Sequence, residues 1–246
     1  MLILLAPSEG KTPAEEGAPP VDLAALAFPA LSERRAMLAE RLARVSAGPQ
    51  KRALAALGLS AGQASELMRN ADLLHGPAAP AGEVYTGVLY QHLDLPTLTS
   101  AACARAAQRL FVASALWGVV NIEDRIPAYR LSIGAKLPRV PRGLAAWWRP
   151  HLVKALPDDA FVVDLRSGGY AAAWRPPHGT VLEVRSPTLT HMVKAVRGEV
   201  ARHLVRAAAA PAGPEDVAAV LERAGERVEL RPPARPSGAW VLDVLR

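Results

Sequence analysis

Cysteine occurs once in 246 residues, at Cys103, so the chain can form neither an internal disulfide nor a cysteine-based zinc cluster. That usage suits a reducing cytoplasm, the expected location. The small residues around it, Ala101-Ala-Cys-Ala-Arg-Ala-Ala107, predict a buried structural thiol on a helix face. Long apolar runs are also missing. No stretch reaches the ~20 apolar residues of a membrane span, and Met1 to Pro7 is too short and lacks the basic flank of a signal peptide. No membrane partner is expected. His75, His92, His151, His178, His191 and His203 are scattered, without His-Glu-x-x-His spacing, so no metal and no cofactor is expected. Gly-x-Ser-x-Gly is absent, which removes the nucleophile elbow of serine hydrolases. Pro7-Ser-Glu-Gly-Lys-Thr12 ends like a phosphate loop, but the required glycine falls at Leu5 and no helix follows.

What is present is enough for a sizeable core: half of the chain is hydrophobic and a fifth is charged, as in ordinary globular proteins. The 29 basic and 23 acidic residues give a formal charge of +6, which favours polyanionic partners such as nucleic acid or phosphorylated ligands.

Apolar runs predict strands at 2–5, 110–116, 161–165, 180–185, 226–230 and 239–245. Helical spacing and breakers predict helices at 32–45, 50–57, 60–74, 97–109, 143–155, 188–209 and 214–224. Such alternation argues an α/β (or α+β) fold with a single mixed sheet flanked by helices. No repeat or composition shift divides the chain, so residues 1–246 are read as one domain, with 32–76 a helical subregion inside it. There Gly58-Leu-Ser60 joins a helix pair.

The densest polar segment is Ala115 to Lys136. It follows the strand at 110–116 and reads as too polar and irregular to be core, a binding site past a strand end. Trp117, Asp124, Arg125, Tyr129, Arg130 and Lys136 are its candidate contacts. Ser8, Lys11 and Thr12 at the first strand end could hold an anion; the alternative is a capped surface turn. Asp164-Leu-Arg-Ser167 and the glycines after it could contact a ligand or simply turn the chain. On the helix from Thr188, Leu189, Met192, Val193, Val196, Val200 and Leu204 form an apolar stripe, opposite His191, Lys194, Arg202 and Arg206, with Arg197 at the boundary. Trp147-Trp148 could stack a base or cap a core.

In order along the chain, these pieces resemble the peroxide stress protein YaaA family. The resemblance rests on Leu2-Ile-Leu4 leading to Lys11-Thr12, on Gly82-Glu-Val-Tyr-Thr-Gly87, and on Leu116-Trp-Gly-Val119 with Asp124, Pro127-Ala-Tyr-Arg-Leu131 and Gly134-Ala-Lys-Leu137. Asp164-Leu-Arg-Ser167 and Lys194-Ala-Val-Arg-Gly198 complete it. It departs in the two extra residues of the first turn, in Asp164 for an asparagine, and at Trp147-Trp-Arg-Pro150. The resemblance implies an unusual α/β topology with a positively charged cleft and a helix-hairpin-helix element, for which the helix pair at 50–74 is the candidate. It also implies binding of duplex or junction DNA and a part in limiting oxidative damage.

Two functional readings follow. In the first, the chain grips nucleic acid through a basic cleft. In the second, it is an enzyme acting on a nucleobase, nucleotide or related phosphorylated small molecule. The enzyme's pocket would be lined by Lys11, Tyr85, Thr86, Trp117, Arg125, Tyr129, Arg130 and Lys136, with Lys11, Asp124, Tyr129 and Asp164 as catalytic candidates. Ser8, Thr12, Ser167, Lys194 and Arg197 join the ligand-binding candidates in either case. A third reading makes the signature residues an internal polar network that fixes an irregular loop.

Overall fold

The computed structural model describes residues 1–187, 190–235 and 238–245, without the side chains of 190 and 191. Thr188, Leu189 and the His191 side chain, which belong to the expected helix at 188–209, lie outside the described residues. Nine strands are seen among the described residues: β1 (Leu2–Leu5), β2 (Ala78–Pro80), β3 (Leu110–Ser114), β4 (Gly118–Asn121), β5 (Arg125–Pro127), β6 (Val162–Leu165), β7 (Val181–Arg185), β8 (Arg227–Arg231) and β9 (Trp240–Leu245). The helices are α1 (Ser32–Ser46), α2 (Gln50–Leu57), α3 (Ser65–Ala71), α4 (Ala81–Val84), α5 (Val88–Leu93), α6 (Ser100–Arg109), α7 (Gly143–Ala155), α8 (Gly168–Ala171), α9 (Thr190–Arg206) and α10 (Pro214–Arg223).

Seven strands form one mixed sheet in the order β4-β3-β1-β6-β7-β9-β8. The five inner strands are mutually parallel, and β4 and β8 close the edges antiparallel. Position follows side-chain pattern: β3 and β6 are buried at every residue, as strands covered on both faces must be. The edge strand β8 alternates between exposed and half-buried positions. A small second sheet pairs β2 with β5 antiparallel. The fold is therefore α/β with one mixed sheet flanked by helices, as the alternation argued, plus this two-stranded addition.

Five sequence expectations are corrected. Ala115–Asn121 is buried throughout, with β4 pairing residue by residue to β3, so the stretch read as too polar for core begins as core. Asn121 turns inward and donates to Ala107 O at 2.7 Å, and the Trp117 ring is buried. Cys103 is exposed, because the buried face of α6 runs through Ala102, Ala106 and Arg109 and 103 falls beside it. Met192, placed on the apolar stripe of α9, is 39% exposed. Arg202 is not a solvated residue: it donates to Leu93 O and Asp94 O, at 2.9 and 2.7 Å, closing the end of α5. The expected helix at 60–74 is also shorter. It begins as a 3-10 turn at Ala61–Gln63 under a Ser60/Gln63 capping box, and α3 covers only Ser65–Ala71.

Candidate functional site

The chain leaves β1 toward β3 on one side and later returns to β6 on the other. Adjacent strands whose connections diverge in this way open a crevice at their carboxyl ends, the usual ligand position in open α/β sheets. A cleft of about 640 Å³ lies there. Residues 6–11 after β1 form one wall and Ser167 and Tyr170 after β6 another, with 86–90, 130–133, Lys194 and Arg197 completing it.

The β1 wall is a tight turn. Ser8 Oγ donates to Gly10 O at 2.6 Å and accepts from Thr86 N at 2.9 Å. Lys11 then pairs with Tyr85 as an isolated antiparallel bridge, and Thr12 N donates to Val84 O at 2.9 Å. These contacts hold Thr86 and Gly87 against the Ser8 turn. Lys11 Nζ donates to Ser8 O at 2.7 Å and lies 4.3 Å from the ring centre of Tyr129 and 5.3 Å from that of Tyr85. Part of the Lys11 side chain stays in contact with solvent. Its ammonium is nonetheless desolvated: burial, with the Arg130 guanidinium beside it, lowers its pKa to about 7.

Behind Lys11 is a buried hydroxyl chain. Tyr85 OH lies 2.9 Å from Tyr129 OH, which lies 2.7 Å from Ser114 Oγ. That serine oxygen also accepts from the backbone N–H groups of Leu116 and Trp117. Burial pushes both tyrosines far above the ordinary phenol range, so they are neutral. Tyr90 OH donates to Ala6 O at 2.9 Å, fixing the end of β1. Arg130 is set by Asn70, whose side chain exchanges two hydrogen bonds with the Arg130 backbone, at 2.9 and 2.8 Å. The Arg130 guanidinium meets Glu9 at 2.5 Å.

The predicted residues therefore separate into two groups. Ser8, Lys11, Thr86, Arg130, Ser167, Lys194 and Arg197 line the cleft, with Tyr85 and Tyr129 directly beneath Lys11. Trp117 has no exposed surface and stands edge-on to Tyr129, so it cannot stack a base. Asp124 accepts from the N–H groups of Ala27 and Asn121, a turn-fixing role far from a general base. Asp164 is buried in a two-point ion pair with Arg166, at 2.8 Å for each contact. Arg125 donates to Ala78 O at 2.5 Å; Lys136 and Thr12 are exposed, and none of the three lines the cleft. Trp148 is buried and donates to Ala115 O, while Trp147 packs under Arg41.

Sequence reasoning missed Glu9, Tyr90 and Asn70. Glu9 and Tyr90 carried a weak signal, lying inside the Ser8–Lys11 turn and just past the Tyr-Thr-Gly element. Asn70 gave none. Among the described residues, no group of three or more His, Cys, Asp or Glu is arranged to hold a metal ion, and no helix is long and apolar enough to cross a membrane. The arrangement offers instead four basic side chains from three parts of the chain, the desolvated amine of Lys11 among them, together with hydroxyls, a set suited to holding an anion.

Known proteins resemble this chain along its whole length. The family model described as peroxide stress protein YaaA matches residues 1–224. A UPF0246 protein of Streptomyces coelicolor is 43% identical, covering 100% of this chain and 98% of its own length. UPF0246 proteins of Corynebacterium efficiens and Corynebacterium glutamicum are 38% and 37% identical, each over 94% of this chain and 95% or 96% of their own. With the family model spanning most of the chain, and relatives matching from end to end, this protein belongs to the peroxide stress protein YaaA family.

Proposed function

We propose that the cleft grips the phosphates of nucleic acid, duplex or junction DNA, through Lys11, Arg130, Lys194 and Arg197. The observation that carries this reading is their convergence on one cleft whose lining includes a single carboxylate, Glu9. The hydroxyls of Thr86 and Ser167 in the same lining supply neutral donors beside them. Interactions of this kind read phosphate and not base sequence, which suits a peroxide stress protein, because oxidative lesions arise at no fixed sequence.

The test is fluorescence anisotropy of a labelled duplex across a salt series. Affinity should fall steeply with salt, and Lys194→Ala and Arg197→Ala should each flatten the log–log slope by about 0.9 for every phosphate that the variant no longer neutralises. Binding should also weaken as pH rises through about 7, where Lys11 loses its charge. Unchanged slopes in both variants would sink the reading. A second reading, an enzyme processing a nucleotide or related anionic metabolite, is favoured by the cleft's volume, which falls within the ~300–1,000 Å³ of small-molecule sites. Displacement of the duplex by a mononucleotide at low concentration would select it.

A further inference from the structure

We propose that Lys11 is a carbonyl-reactive amine, which condenses with the aldehyde of a phosphate-bearing substrate seated in the cleft. The proposal rests on the anion-binding reading above for its substrate's charge, but its chemistry is separate. Lysine amines act this way when they reach a substrate pocket in the neutral form. Lys11 meets those conditions by its position. It lines the cleft, and no carboxylate forms a salt bridge with it among the described residues, its Nζ being held instead by Ser8 O at 2.7 Å. Burial first, and then the Arg130 guanidinium, oppose its protonation, against smaller opposing effects of Glu66 and Glu9, and Arg130 would at the same time hold the phosphate.

The reaction balances without a cofactor. The neutral Nζ adds to the carbonyl carbon, forming a C–N bond as the C=O π pair moves to oxygen. An amine proton is then relayed to that oxygen. The C–O bond breaks, water leaves with a second proton, and an imine remains with no net oxidation or reduction. The ring faces of Tyr129 and Tyr85 lie against Nζ at 4.3 and 5.3 Å. A π face attracts positive charge, so these rings favour the imine once it takes up a proton from solvent. The hydroxyls of Thr86 and Ser167 lie in the same lining and can carry the proton relay.

Pyridoxal 5′-phosphate is a suitable probe, since it carries an aldehyde and a phosphate and its imine can be trapped with borohydride. The chain has five lysines, Lys11, Lys51, Lys136, Lys154 and Lys194, and peptide mass spectrometry of the unmutated protein distinguishes them. Lys11 should be labelled at least about tenfold faster than any other at pH 7.5, because an ordinary lysine is almost wholly protonated there. Its rate should rise through about pH 7 and level off while the others keep rising. Phosphate-free pyridoxal should label Lys11 more slowly, and inorganic phosphate should protect it. Labelling of Lys11 no faster than of Lys51 or Lys154 would overturn the proposal, even if phosphate binding persisted. Fast labelling by pyridoxal and pyridoxal phosphate alike, without phosphate protection, would support the reactive amine while removing the anion-binding reading beneath it. Lys11→Arg carries a permanent charge and should lose the fast adduct with phosphate binding retained or strengthened.

Discussion

Glu9 occupies the place an incoming anion would take. Its carboxylate reaches Arg130 at 2.5 Å from a side chain that is 73% exposed, so the pair is screened by water and contributes little to stability. An anion entering the cleft would have to replace it on Arg130. Glu9→Gln should therefore tighten duplex or phosphate binding by up to about fivefold, the equivalent of one exposed pair of ~0.2–1 kcal/mol. An anisotropy titration measures this, and equal or weaker affinity would count against a competing role for Glu9. At this scale the sequence was only partly legible. Lys11 and Arg130 stood out by type and by their place near strand ends. Asp124 and Asp164 stood out equally, yet one caps a turn and the other pairs with Arg166. A carboxylate's type says that it must be satisfied when buried; it does not say by what.

At the scale of elements, α5 and α9 cross at close range, and Gly198 makes their approach possible. A Cβ at 198 would overlap Leu89 O and stand 2.9 Å from His92 Cβ and 3.0 Å from Leu93 N. The glycine that ends the Lys194-Ala-Val-Arg-Gly198 motif thus sets the distance at which Lys194 and Arg197 are presented to the cleft. Gly198→Ala should destabilise the protein by about 1–3 kcal/mol through overpacking, seen as a lower urea midpoint. It should also weaken anion binding, as the cations are carried away from the β1 turn; a fully stable variant would contradict the tight crossing. Most helices and the inner strands were readable because their apolar periods persist over several residues. The edge strand β4 was not. Gly118 begins it at φ 75°, with the Trp148 ring 3.0 Å from where a Cβ would be, and two valines between that glycine and Asn121 are too short an apolar run to read as a strand.

For the whole molecule, Arg35 is the clearest long-range tie. It lies on the face of α1 shared with Leu38 and Leu42, wholly buried. Its guanidinium donates to Trp117 O at 3.0 Å, Ala27 O at 2.7 Å and Val119 O at 2.8 Å. One side chain thereby joins the irregular N-terminal segment, α1 and the sheet edge. Burial lowers its pKa to about 10, which leaves it charged at neutral pH. Arg35→Met strands three carbonyls, each worth about 1–3 kcal/mol when left buried and unpaired. The expected destabilisation is about 3 kcal/mol or more, measurable by chemical denaturation, and a value under about 1 kcal/mol would show that the segment finds other partners.

The sequence by itself determined the α/β class, the inner strands, most helices and the positions of Ser8, Lys11, Arg130 and Lys194, because apolar period and residue type are local properties. Tertiary structure alone decided which polar groups face the cleft and which face inward. The densest polar stretch of the chain, from 115 to 136, supplies the cleft chiefly with Arg130–Ile133 and commits most of its remaining polarity to internal hydrogen bonds. The physical reason is that an irregular backbone inside a core must have every N–H and C=O paired, and the nearest polar side chains are recruited to do it. Only the order of strands, with β1 between β3 and β6, opens the crevice that makes Lys11 a cleft residue and leaves Trp117 beneath it.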